Sequence, residues 1–274
     1  MRIAQYYHNG RLQVGRIEAD HLLPLDFNGN LLEFIQKQPP PNAASKEPLP
    51  LAHIHWAPAV HNPSKIIAIG LNYLDHVRES KGALPESPLV FAKFPNALVG
   101  HQAKIVWDET ITKKVDFEAE LAVIIGKKTT CISEDQALEH VFGYTCANDV
   151  SARDLQFGDG QWVRGKSLDT FCPLGPWIVT TDELLDPQNL KIQCRVNGQV
   201  MQESRTGLMI FSVAHLVHFL SKHFTLLPGD IILTGTPHGV GAFRKPAVYL
   251  KTGDKIEVEI ERIGCLSNVC ESKP

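Results

Sequence analysis

Six cysteines (Cys131, Cys146, Cys172, Cys194, Cys265 and Cys270) are scattered through 274 residues without a single C-x-x-C pair. That spacing excludes a zinc knuckle, and a chain this long needs no disulfide scaffold, so they read as reduced thiols in or near the core. No stretch approaches the ~18 apolar residues of a membrane-spanning helix, and the opening M-R-I-A-Q-Y-Y-H-N-G has no apolar signal region. Both absences point to a cytoplasmic protein without a membrane partner. Neither sign of charge is in excess, since 27 Lys and Arg stand against 30 Asp and Glu. Such a balance offers a polyanion no surface and argues against nucleic acid as a partner. Regular βαβ alternation and internal repeats are missing too, so a Rossmann sheet is not expected.

What is present is the composition of an ordinary globular protein, 43% hydrophobic and 21% charged, long enough for one large domain or two. R-I-A-Q-Y-Y and L-Q-V-G-R-I-E-A flank Asn9-Gly10, which predicts a hairpin with a type I′ turn. L-L-E-F-I-Q-K, near 31–37, predicts a short helix. Prolines 39, 40, 41, 48, 50, 58 and 63 deny both helix and central strand. They predict a linker, so that 1–62 form a small N-terminal α/β domain and 63–274 a catalytic one.

Short strands dominate from Lys65 onward: K-I-I-A-I-G, L-V-F-A-K-F, A-E-L-A-V-I-I-G, W-I-V-T, L-K-I-Q-C-R-V-N-G, D-I-I-L-T-G and K-I-E-V-E-I-E. Helices are expected only near 72–80, 133–141 and 209–223. The fold class is therefore mixed and mainly β.

Residues 116–126 read D-F-E-A-E-L-A-V-I-I-G, a strand entering a core with Glu118 and Glu120 two apart. Strand side chains alternate with period two, so both carboxylates project from one face, where they repel. A hard divalent cation (Mg²⁺, Mn²⁺ or Ca²⁺) would reverse that repulsion, and Asp149, after the apolar V-F-G-Y-T-C-A, is a plausible third oxygen ligand. Taken singly, the spacing favours a solvated strand face, with Asp149 capping S-A-R-D-L-Q.

Gly160 to Ser167, G-Q-W-V-R-G-K-S, fits the phosphate-loop pattern G-x-x-x-x-G-K-[ST] letter for letter. That loop needs a strand before it and a long helix after it, and L-Q-F-G-D and L-D-T-F-C-P-L-G-P supply neither. The pattern is rejected. His53 and His55 form an H-I-H inside the proline-rich segment and read as surface residues. His76 and Glu79, three apart on a short helix, can touch, and a carboxylate that orients an imidazole makes a general base. On its own that pair also reads as an exposed helix face.

Five ordered segments remove the independence of these signals. They are G-L-N-Y-x-x-H, F-E-A-E-L-A-V-I-I-G-K, N-D-V-S-A-R-D, G-K-S-L-D-T-F-C-P-L-G-P and P-G-D-I-I-L-T-G-T-P-x-G-V-G. Over about 65–260 the chain resembles the fumarylacetoacetate hydrolase family. The nearer likeness is to its small members, in the subgroup of domain-containing protein 2 and the bacterial diketo sugar-acid hydrolases. The resemblance implies a β-roll catalytic domain, a homodimer and a Mg²⁺ or Mn²⁺ held by Glu118, Glu120 and Asp149. It implies His76, Glu79 and Lys166 as catalytic groups, and Arg153, Gln156 and Thr236 as substrate contacts. Thr170 would support the metal from behind. The implied substrate is a 2-oxo acid with a second carbonyl (an acylpyruvate, oxaloacetate or a diketo sugar acid), cleaved by C–C hydrolysis or decarboxylation. Keto–enol tautomerisation of oxaloacetate on the same site is the alternative, and a non-catalytic metal-binding protein a further one.

Overall fold

A computed structural model describes residues 1–42, 44 and 47–273, so positions 43, 45 and 46 of the predicted linker lie outside it. Its strands form a large mixed sheet, a five-stranded sheet and a two-stranded ribbon. The large sheet runs in the order Leu49–Pro50, His21–Pro24, Arg11–Glu18, Arg2–His8, Cys172–Thr180, Val141–Asn148, Ala119–Ile125, Ile231–Leu233, Ile66–Gly70, Leu89–Lys93. The five-stranded sheet runs Gln199–Arg205, Lys191–Val196, Lys255–Ile260, Gly264–Lys273, Lys104–Asp108. Val115–Asp116 pairs with Ser151–Ala152 in the ribbon.

Ala119–Ile125 is central because it is buried on both faces. Its odd positions, Leu121, Val123 and Ile125, enter the larger core cluster, which reaches the five-stranded sheet. Its even positions, Ala122 and Ile124, enter a second cluster with Ile3, Leu31, Phe34 and Ile35. Full burial of each such side chain contributes ~1.5–3 kcal/mol, so this strand is pinned from two sides and cannot slip register.

The N-terminal hairpin forms as the sequence predicts. Asn9 and Gly10 both take positive φ, and Arg2 and Ile3 pair with Val179 and Ile178 of the large sheet. The helix Leu31–Lys37 is capped by Asn30, whose side chain accepts from Glu33 N at 3.0 Å. Leu31, Phe34 and Ile35, at helical spacing, are its buried face.

Three elements differ from expectation. The segment 133–141 forms only a 3₁₀ turn, Ala137–His140, because the sheet claims the residues beyond it. Val141 pairs with Ile125, and Gly126 N donates to His140 O at 2.7 Å. The helix expected over 209–223 begins at Val213, behind a Ser212 cap. Asn72 takes the residues before it, its carbonyl accepting from Ile210 N and its side-chain Oδ1 from Phe211 N, both at 2.8 Å. W-I-V-T proves to be the end of a longer strand, Cys172–Thr180. Among the described residues no helix is long and apolar enough to cross a membrane.

Candidate active site

Antiparallel pairing builds the acidic centre. Ala119 lies opposite Asn148, so the start of one strand meets the end of the next, and Asp149 arrives beside Glu118 and Glu120 although some thirty residues separate them. All three are buried, with ligand oxygens within 4.8 Å of one another, and no other such grouping of acids, histidines or cysteines occurs among the described residues. The solvated-face reading therefore fails, as does the helix-cap role for Asp149, since the helix Arg153–Asp159 begins after Ala152.

Buried carboxylates require cations, and the chain supplies three. Lys166 Nζ donates to Glu118 Oε2 and Asp149 Oδ2, both at 2.7 Å. Arg153 Nε donates to Asp116 Oδ2 at 2.8 Å, and its Nη2 lies 2.7 Å from Glu118 Oε1. Lys93 Nζ donates to Asp149 Oδ1 at 2.6 Å. Glu120 makes no ion pair among the described residues; Gly235 N donates to its Oε2 at 2.7 Å. Burial works to raise the Glu118 carboxyl, but Lys166 and Arg153 outweigh it and hold the group down at about 2. Burial, then Asp149 and Glu118, push Glu120 well above the carboxylate range. Burial opposes charge on Lys166 as well, yet Asp149 and Glu118 raise it above its ordinary value.

The rejected phosphate-loop pattern resolves in the same place. Its preceding element is the helix Arg153–Asp159 rather than a strand, and Val163–Lys166 is one short helical turn. Gly165 is there because the two helices meet at it: a Cβ would lie 2.7 Å from Gln156 N and 2.9 Å from Ala152 O. That close approach swings Lys166 onto the carboxylates.

Arg153 and Gln156 share a helix face, with Nη1 donating to Gln156 Oε1 at 2.8 Å. Thr236 Oγ1 donates to Ala119 O and accepts from Gln202 Nε2, each at 2.9 Å. On the helix Leu74–Ser80, His76 Nδ1 is 3.2 Å from Glu79 Oε2, and Glu79 in turn accepts from Gly239 N. His76, Glu118, Glu120, Arg153, Gln156, Lys166 and Thr236 all line one cleft of about 100 Å³. Its remaining walls include Phe91, Trp162, Phe157 and Phe243. Thr170 stands apart: its hydroxyl is spent on Val106, accepting from N at 2.7 Å and donating to O at 3.2 Å.

Two buried residues escaped the sequence reading. Asp116 accepts from Gly241 N, Ala242 N and Arg153 Nε, so it anchors Arg153. The signal was there, because D-F-E-A-E carries three acids at period two. Lys93, with a fully buried side chain, was visible as the one charge in the apolar run L-V-F-A-K-F.

The donor set fits a hard divalent cation. It consists of carboxylate oxygens only, one carboxylate has no ion-pair partner, and Tyr73 Oη and Asn148 Nδ2 remain buried without a hydrogen-bond partner.

Comparison with known proteins agrees with this architecture. The oxaloacetate tautomerase FAHD2A of Bos taurus, mitochondrial by name, is 50% identical over 222 residues, 80% of this chain and 70% of its own. A solved fumarylacetoacetate hydrolase from Exiguobacterium antarcticum superposes with a TM-score of 0.90 at 39% identity, over the whole of both chains. The 2-hydroxyhepta-2,4-diene-1,7-dioate isomerase of Mycobacterium marinum does so at 0.84 and 36%, over 100% of this chain and 99% of its own. Residues 65–271, which hold the three acids, their three cations and the His76–Glu79 pair, match the model of the fumarylacetoacetate hydrolase C-terminal domain, and the chain belongs to that family of enzymes.

Proposed function

We propose that the protein is a divalent-metal-dependent oxaloacetate tautomerase that interconverts the keto and enol forms. The observation that carries this reading is the half-identity to a relative named for that activity, in a chain with a complete acidic centre. Glu118, Glu120 and Asp149 would hold Mg²⁺ or Mn²⁺, which when bound polarises the 2-oxo group as a Lewis acid.

The other steps belong to side chains. Arg153, which lines the cleft, receives a substrate carboxylate together with Gln156 and Thr236. With Glu79 accepting at Nδ1, the proton of neutral His76 sits on that nitrogen and Nε2 is the base. In the keto-to-enol direction Nε2 takes a proton from C3, the C3–H pair becomes the C2–C3 double bond, and O2 gains charge. The Lys166 ammonium faces that charge, and the His76 imidazolium then gives its proton to O2, which completes the enol and restores the neutral base. Phe91, Trp162, Phe157 and Phe243 make the rest of the cleft wall largely apolar.

The fit to the Exiguobacterium hydrolase favours a second reading, in which the same base activates a water for C–C cleavage. A proton NMR time course with Mn²⁺ or Mg²⁺ and an EDTA control separates them. Enol–keto exchange of oxaloacetate should accelerate without net loss, and EDTA should abolish the effect. Pyruvate accumulating instead, or an acylpyruvate yielding pyruvate and a free acid, would overturn the tautomerase reading. His76→Ala should slow exchange ~10²–10⁴-fold while Mn²⁺ affinity is unchanged. A homodimer belongs to the same proposal, and light scattering at the single-chain mass would sink it.

A further inference from the structure

We infer that Lys93 is a positioning residue of this site: its ammonium ties Asp149 to the backbone that carries Lys166, and so sets both for the divalent cation. The inference rests on the metal site proposed for Glu118, Glu120 and Asp149. Lys93 ends the edge strand Leu89–Lys93, and its side chain is wholly buried. An ammonium has three N–H donors, and three oxygens surround this one. They are Asp149 Oδ1 at 2.6 Å, the Lys166 carbonyl in a short contact, and the Val150 carbonyl at 3.4 Å.

Packing alone does not account for a lysine here, since methionine would fill the space without bringing a charge out of water. Lys93 touches neither Glu118 nor Glu120 and does not line the cleft, so it meets no substrate. What it does is fix orientation at both ends. With Oδ1 held by Lys93, the Asp149 carboxylate can turn only Oδ2 toward Glu118 and Glu120. With its carbonyl held by the same ammonium, Lys166 is fixed at the backbone and its Nζ reaches Glu118 and Asp149. The clamp continues one residue along, where Phe94 N donates to Ser167 Oγ at 3.1 Å and Asn96 Nδ2 to Ser167 O at 3.0 Å. The edge strand thus holds the Lys166 turn against the carboxylates. Partners that orient metal ligands in this way typically govern metal affinity or activity by ~10–100-fold.

The test turns on a sign. If Lys93 merely balanced charge, removing a cation beside a ligand oxygen would tighten a divalent metal. If it positions, the metal weakens despite the lost repulsion. Titration calorimetry with MnCl₂ on wild type and Lys93→Met should show at least tenfold weaker Mn²⁺ binding in the variant, with unchanged far-ultraviolet circular dichroism. At saturating Mn²⁺ the variant's kcat for oxaloacetate exchange should fall about tenfold while KM stays within twofold. Affinity that is unchanged or tighter overturns the inference. Wild type that fails to bind Mn²⁺ overturns the metal reading and this with it, which separates the two failures. Should Lys93→Met not fold, ¹⁵N-lysine NMR of the unaltered protein replaces it. The Lys93 ammonium signal, identified by its absence in Lys93→Arg, should shift as MgCl₂ is added, and a signal that does not move overturns the inference.

Discussion

The two sides of the acidic centre differ although sequence places them two residues apart. Around Glu118 the site is ionic: Lys166, Arg153 and Lys93 face Glu118, Asp149 and Asp116, three charges against three. Around Glu120 no ion pair forms: Gly235 N donates to it, Tyr73 is buried nearby, and Asp149 and Glu118 act on it more strongly than Lys166. Identical side chains on neighbouring positions are driven in opposite directions, Glu118 down and Glu120 up. The comparison teaches that three of the four carboxyls in this centre are already paired with lysine or arginine and Glu120 is not. Glu118 and Asp149 thus serve the fold through their ion pairs as well as the proposed metal site, whereas Glu120 serves only the latter.

The strongest way to break the comparison is Glu118→Ala. It removes a proposed metal ligand and also leaves Lys166, Arg153 and Lys93 facing only Asp149 and Asp116, where one uncompensated buried charge costs about 3–5 kcal/mol. Mn²⁺ binding should vanish from calorimetry and the urea midpoint should fall sharply. A variant of wild-type stability would mean that the ionic half does not hold the fold. The pH dependence arises from the same pairing. With its folded value held at about 2 against an ordinary 4.5, Glu118 contributes stability that is fully present above 4.5. That stability is lost as pH falls from 4.5 toward 2, which acid titration of the metal-free protein can track.

Glu120→Gln sharpens it from the other side. A carboxyl raised above its ordinary 4.5 stabilises the fold while protonated, and stability declines as pH climbs above 4.5. The amide keeps the shape without that penalty. Metal-free Glu120→Gln should therefore be more stable than wild type at pH 8, with the difference shrinking toward pH 5. It should at the same time lose at least tenfold in Mn²⁺ affinity. Urea denaturation in EDTA at the two pH values reads the first effect and calorimetry the second. A variant that is less stable at pH 8 would show that Glu120 is charged and paired after all.

How much of this was legible depended on whether the deciding interactions were local. The hairpin at Asn9-Gly10, the helix Leu31–Lys37 and the strand Ala119–Ile125 could be read because turn geometry, capping and periodicity act within a few residues. The strands Gln199–Arg205 and Gly264–Lys273 were not read, because Q-V-M-Q-E-S-R and G-C-L-S-N-V-C-E-S-K carry little apolar alternation and are fixed by partners across the sheet. The helix expected at 209 failed for a similar reason, since Asn72 supplies the competing hydrogen bonds from far away in sequence. The nine candidate site residues came from ordered motifs. Lys93 did not, since a lysine in an apolar run looks like an edge-strand gatekeeper until Asp149 is placed against it.

Thr170 supplies the smallest and most discriminating effect, because it separates proximity in motif from proximity in space. It sits within G-K-S-L-D-T, four residues after Lys166, and its backbone takes a positive φ of 69°. Both of its hydroxyl bonds go to Val106, on the five-stranded sheet, and neither reaches a carboxylate of the centre. Thr170→Val should then cost ~1 kcal/mol for hydrogen bonds in a partly buried site. Mn²⁺ affinity and the rate of oxaloacetate exchange should stay within twofold of wild type. A tenfold loss of Mn²⁺ affinity would mean that the five-stranded sheet, through Val106, helps to set the Lys166 turn. The contrast between the ion-paired Glu118 side and the unpaired Glu120 side would then have to include that sheet.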